Sequence, residues 1–74
     1  MDALFYTFEI VVLLFKEGQI QKISKKVPQT YLSFFREVGY KMAEEYLSEG
    51  WRIYSISIEN IKIERQDIVH LSSI

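Results

Sequence analysis

The stretch Leu4–Phe15, LFYTFEIVVLLF, constrains this chain more than any other. Its β-branched and aromatic content reads as a long strand. As a strand it is apolar on both faces. Phe8, Ile10, Val12 and Leu14 fall on one side; Phe5, Val11, Leu13 and Phe15 fall on the other, interrupted there by Thr7 and Glu9. A chain of 74 residues has one core and can cover one of those faces. A domain of this size buries only about 60–65% of the surface its unfolded chain exposes, so its stability margin is thin. Small scaffolds make up the difference with disulfides, a metal or oligomerisation. There is no cysteine and a single histidine, His70, which excludes disulfides and thiolate zinc sites and leaves no expectation of a metal or cofactor. Oligomerisation remains.

The rest of the chain supplies the elements for one α+β domain. Glu17-Gly18 reads as a two-residue hairpin turn, glycine supplying the positive φ. The resulting hairpin, 4–27, pairs Phe15 with Ile20, Val12 with Ile23, Phe8 with Val27 and Glu9 with Lys26. Pro28 ends it and opens a helix over 29–49, with Thr30 as an alternative N-cap. Tyr31, Phe35, Val38, Met42 and Tyr46 form the apolar stripe of that helix. Gly39 lies on the same side, where helix and sheet can approach closely, and Gly50 suits the position just past the helix end. A second hairpin is predicted over 51–66, turning at Glu59-Asn60, with Tyr54, Ile56, Ile58, Ile61 and Ile63 on its buried face and Ile53, Ser55, Ser57, Lys62 and Glu64 on the other. The expected fold is a two-layer sandwich in the order strand–strand–helix–strand–strand, a four-stranded antiparallel sheet under one helix. The tail 67–74 carries Ile68, Val69, Leu71 and Ile74; it can extend the last strand, form a helical turn or dock on another protomer.

The segment 44–58, EEYLSEGWRIYSISI, passes from a helix through Leu47, Gly50 and Trp51 into a strand of alternating apolar residues. In this it resembles a family of small uncharacterised bacterial domains with a helix–Leu-x-x-Gly-Trp–strand junction. The resemblance implies a strand, a helix and a following strand joined at that motif. The hairpin before the helix is not part of the family's pattern, and the family brings no established activity.

Composition narrows the function. Hydrophobic residues make up 49% of the chain and aromatic residues 15%, which contradicts disorder. The formal net charge is −1, so there is no global attraction for nucleic acid or anionic lipid. Residues 1–41 nonetheless hold six basic and four acidic groups, and residues 42–74 three and six. The thirteen residues from Ala3 to Phe15 are too short and too polar to span a membrane. No basic residue precedes Lys16, as a signal peptide would require. A cytoplasmic protein is expected, with no membrane partner.

Candidate sites follow from the uncovered face. Phe5, Val11, Leu13, Phe15, Ile20 and Ile53 are the expected oligomer interface, since a large exposed apolar patch on a small protein marks an interaction surface. The competing reading has the tail wrapping the first strand and leaving a modest patch; the size argument favours the interface. Lys22, Lys25 and Lys26 form the one basic cluster. Lysines there blunt a sheet edge against aggregation, which is favoured over single-stranded nucleic-acid binding by the slightly acidic whole. If a small anionic ligand binds, Lys22, Lys26 and Arg52 are expected to supply charge, and Trp51 or Phe15 a ring to stack on. Asp67, His70, Ser72 and Ser73 are the residue types of a catalytic triad, but a tail cannot place a nucleophile rigidly. Glu44, Glu45 and Glu49 are explained by helix solubility. The sequence thus points to a non-enzymatic, homo-oligomeric binding module, an accessory protein of bacterial or phage type that inhibits a protein or sequesters a small anion such as a nucleotide.

Overall fold

The computed structural model describes residues 3–66, with side chains from 5 to 64. Strand β1 (Ala3–Lys16) turns into β2 (Gln19–Pro28). A 3₁₀ segment (Gln29–Phe34) then leads into helix α1 (Phe35–Ser48), and β3 (Arg52–Gln66) completes the fold. The sheet is antiparallel with order β2-β1-β3. The most apolar strand is therefore central.

The first hairpin forms as its sequence predicts. Glu17 and Gly18 have φ of 50° and 79°, the two left-handed residues of a type I′ turn, and the register runs unshifted from Lys16↔Gln19 to Thr7↔Pro28. Helix α1 lies over β1 and β3. Phe8, Ile10, Val12 and Leu14 are fully buried beneath it with Ala43, and Val27 is nearly so. Gly39 is the point of closest approach: a Cβ there would sit 2.7 Å from Ile56 Cγ2. The helix ends in a Schellman motif. Gly50, at φ 94°, donates its N–H to the Leu47 carbonyl at 3.2 Å, and Trp51 donates to the Tyr46 carbonyl at 3.0 Å. Lys16 Nζ, reaching over from β1, donates to the Glu49 carbonyl at 2.7 Å, placing a cation at the negative end of the helix.

Three expectations are corrected. The sheet has three strands, because 51–66 does not fold back on itself. A type I′ turn requires φ > 0 at both central residues; Asn60 has φ 54° but Glu59 does not adopt the left-handed region. Asn60 instead sits in a β-bulge: Thr7 pairs with Lys62 and Glu9 with Glu59, leaving one extra residue on β3. A second bulge falls between Leu13↔Ser55 and Leu14↔Ile53, where Tyr54 is the extra residue. The chain continues as one strand because β1 offers it a free edge from Phe15 to Ala3. The helix is likewise shorter than predicted: residues 29–34 are 3₁₀, and neither Pro28 nor Phe34 makes a side-chain cap hydrogen bond. Last, the Tyr54 bulge reverses the facing of residues on its two sides. Ile53 pairs with Leu14 on the helix side of the sheet, so it does not belong to the outer face.

Beyond Thr7, β2 has ended and the sheet narrows to a β1–β3 ribbon. The Gln29 side chain closes the step: its Oε1 accepts the Tyr6 N–H at 2.9 Å, replacing the strand partner that Tyr6 lacks. The ribbon gives the molecule extents of 57 × 20 × 17 Å and a radius of gyration of 16.6 Å; a compact chain of this length has about 11 Å. The tail 67–74, with its alternative roles and its Asp67, His70, Ser72 and Ser73, lies outside the described residues. Among the described residues, no helix is long and apolar enough to cross a membrane.

Candidate functional site

Strand alternation sorts β1 into two faces, and the outer one differs from the apolar patch expected of it. Val11, at its centre, is 1% exposed. Its cross-strand neighbours are Ser24 and Ser57. Lys22 on β2 reaches Glu59 on β3, Nζ to Oε1 4.0 Å, and Lys26 reaches Glu64 at 3.5 Å. Lys22 flanks Leu13 and Glu59 flanks Glu9, so the first pair crosses β1 above Val11. The second runs from beside Glu9 to beside Phe5 and crosses above Thr7. Long lysine stems cover apolar surface while the ammonium stays in water. The answer to the uncovered face is partly here: charged side chains strap it.

The straps leave the hairpin end open. Phe15 is flanked by Ile20 on β2 and Arg52 on β3, and the Tyr54 ring meets it edge-on, centroids 6.5 Å apart at 88°. Ile20 and Tyr54 are 65% and 69% exposed. Leu13 lies one step further in, between Lys22 and Ser55. The result is an aromatic platform with Arg52 beside it; Lys22, level with Leu13 one step further in, turns its ammonium toward Glu59. Arg52 takes part in no ion pair among the described residues.

Of the residues expected to bind a ligand, Arg52 and Phe15 are brought together here, and Lys22 stands one step further in along β2. Lys26 lies further along β2, opposite Glu9 and paired with Glu64. Trp51 is on the other side of the sheet, half-buried with its ring edge-on to Tyr46 at 6.3 Å. The lysine cluster is split as well: Lys25, opposite Ile10, faces the helix side. Of the expected interface, Phe5, Leu13 and Phe15 are half-buried on the outer face, Ile20 is exposed, Val11 is already covered and Ile53 is in the core. Tyr54 is the member that the sequence reading missed, because the predicted hairpin turned it inward.

Two concavities complete the surface. A groove of about 360 Å³ between β2 and the helix is lined by Lys25, Tyr31, Phe34, Glu37, Val38 and Lys41. A hollow of about 320 Å³ on the ribbon is lined by Phe5, Tyr6, Gln29 and Ile63. Among the described residues, no three His, Cys, Asp or Glu side chains are grouped to hold a metal ion. No protein-family model matches the chain, and neither a curated protein nor a solved structure shows similarity to it.

Proposed function

We propose that this chain is a non-enzymatic binding module that assembles as a homo-oligomer and holds a small anion bearing a flat ring, such as a nucleotide, at the hairpin end of its outer sheet face. The observation that carries this reading is the Phe15–Tyr54 pair beside Arg52, with Lys22 one step further in along β2. An exposed ring stacks on any base, and Arg52, joined by Lys22 when its exposed bridge to Glu59 exchanges, suits a phosphate. Oligomerisation is supported by shape: the described residues are long and thin, with little core for their surface. Two hairpin ends brought face to face would bury Ile20 and Tyr54 and offer one ligand the cations of both protomers. The cytoplasm, where nucleotides are abundant, is the proposed location, and an accessory role in sequestering the ligand or inhibiting a protein is the proposed use.

Native mass spectrometry of the untagged protein as purified tests both halves. The expected result is an oligomer with retained mass, lost when Arg52→Ala and Lys22→Ala are combined and when Tyr54→Ala is made. A bare monomer, or retention unchanged in those variants, overturns the assignment. If oligonucleotides rather than mononucleotides are retained, with affinity falling steeply as salt rises, the surface binds single-stranded nucleic acid instead.

A further inference from the structure

Among the described residues, the two outer edges of the sheet carry no further strand and are built differently. The free edge of β3 is broken by the bulges at Tyr54 and Asn60, a device that stops further strands from pairing. Strand β2 has no bulge: its register with β1 is unshifted from end to end, so its outer edge is a regular row of donors and acceptors. Lys16 and Gln19 flank a two-residue turn and pair directly, which makes them a hydrogen-bonded pair. By alternation, the N–H groups of Ile20, Lys22, Ser24 and Lys26 point away from β1, where no strand pairs with them among the described residues.

Beside this edge runs the groove floored by Tyr31, Phe34 and Val38. It exists because α1 packs over β1 and β3, leaving the helix-facing side of β2 partly uncovered. Phe34 remains 41% exposed. An open strand edge next to an apolar groove against a helix is an arrangement that takes an extended peptide as an added strand. Main-chain hydrogen bonds then give affinity, and alternate side chains enter the groove.

Charge selects the occupant. Strand β2 carries Lys22, Lys25 and Lys26 and no acidic residue, and Lys41 faces the groove from the helix with Glu37 the one carboxylate there. A second copy of β2 would set lysines against lysines. We infer that the β2 edge and its groove receive an extended segment of a partner protein in which acidic and apolar residues alternate. Its acidic side chains lie along Lys22 and Lys26, and its apolar ones lie over Phe34 and Val38. The exposed bridges from Lys22 to Glu59 and Lys26 to Glu64, with side chains 33–59% exposed, cost little to exchange.

The probe is a fluorescein-labelled decapeptide of alternating Glu and Val, with an alternating Lys–Val decapeptide as its control, followed by fluorescence anisotropy. The acidic peptide is expected to bind with a Kd on the order of 10–100 μM that weakens with salt; the basic one is not expected to bind. Ser24→Pro removes one outward N–H while leaving the β1–β2 ladder intact, and Lys26→Glu reverses charge where the acidic side chains would lie. Each should weaken binding by about tenfold or more with an unchanged circular dichroism spectrum. Equal binding of both peptides overturns the inference. So does wild-type affinity in Ser24→Pro, or no binding of the acidic peptide at about 1 mM. If Ser24→Pro instead converts an oligomer to a monomer, the edge is covered by a second copy and the inference is likewise overturned.

Discussion

The two faces of β1 are sealed by opposite means. Toward the helix, Phe8, Ile10, Val12 and Leu14 are buried among apolar side chains. Away from it, Val11 is equally buried, yet what crosses above it is a lysine and a glutamate. Apolar packing is dense, intolerant of volume change and indifferent to salt. Charged straps are worth little individually and are screened by ions. One strand thus belongs to a rigid layer and to an adjustable one.

Substitutions on the two faces should differ accordingly. The largest effect is expected under the helix: Phe8→Ala should cost about 3–5 kcal/mol, enough to unfold a domain with a thin margin, and a urea titration would show it. Gly39→Ala should cost about 1–3 kcal/mol, because its methyl would meet Ile56 Cγ2, Cδ1 and Cγ1 at 2.7–3.3 Å. Adding Ile56→Ala should cost less than the sum of the two single changes, since both act on one contact. On the outer face the sign changes. Thr7 is 9% exposed and its Oγ1 is buried without a hydrogen-bond partner; Thr7→Val removes that unmet group and should raise the urea midpoint by about 1 kcal/mol equivalent. The smallest effect belongs to the straps. Lys22→Met with Glu59→Gln should shift stability by less than about 1 kcal/mol, and should remove part of its salt dependence, read from midpoints at low and high sodium chloride. A loss as large as that of Phe8→Ala would mean that the two faces are not distinct in kind.

Much of this was legible in the residues. The Glu17-Gly18 turn and its register, the buried row on β1, the close approach at Gly39 and the helix end at Gly50 all rest on local chemistry that needs no tertiary information. The failure came in β3, where local rules conflict. Asn60 is suited to positive φ, and a positive φ serves a bulge as well as a turn; only the free edge of β1 decides between them. A signal was present all the same. Trp51 and Ile53 are apolar at odd positions, Ile56 and Ile58 at even ones, Ile61 and Ile63 at odd ones again. A strand keeps its parity on one face of a sheet, so each switch marks an inserted residue, and the switches fall where the two bulges are; past the second, Ile61 and Ile63 stay 65% and 74% exposed rather than buried as expected. The candidate site suffered from the same error. Lys22, Arg52 and Phe15 were recognised, whereas Tyr54 comes outward only because it is the inserted residue. The straps were not legible, since they join residues on β2 and β3 that never pair with each other.

The central place of β1 has a consequence for how the molecule comes into being. One of its edges is satisfied early, by a hairpin that closes over two residues. The other waits for β3, whose first pairing, Phe15↔Arg52, already spans the helix and whose last, Ala3↔Gln66, joins the ends of the described chain. Closing such separations is slow relative to hairpin formation. During synthesis the most apolar segment therefore emerges before its second neighbour does. For that interval a bare, sticky edge is in view of every other nascent chain. The pairing of β3 is the step that ends the exposure of that edge.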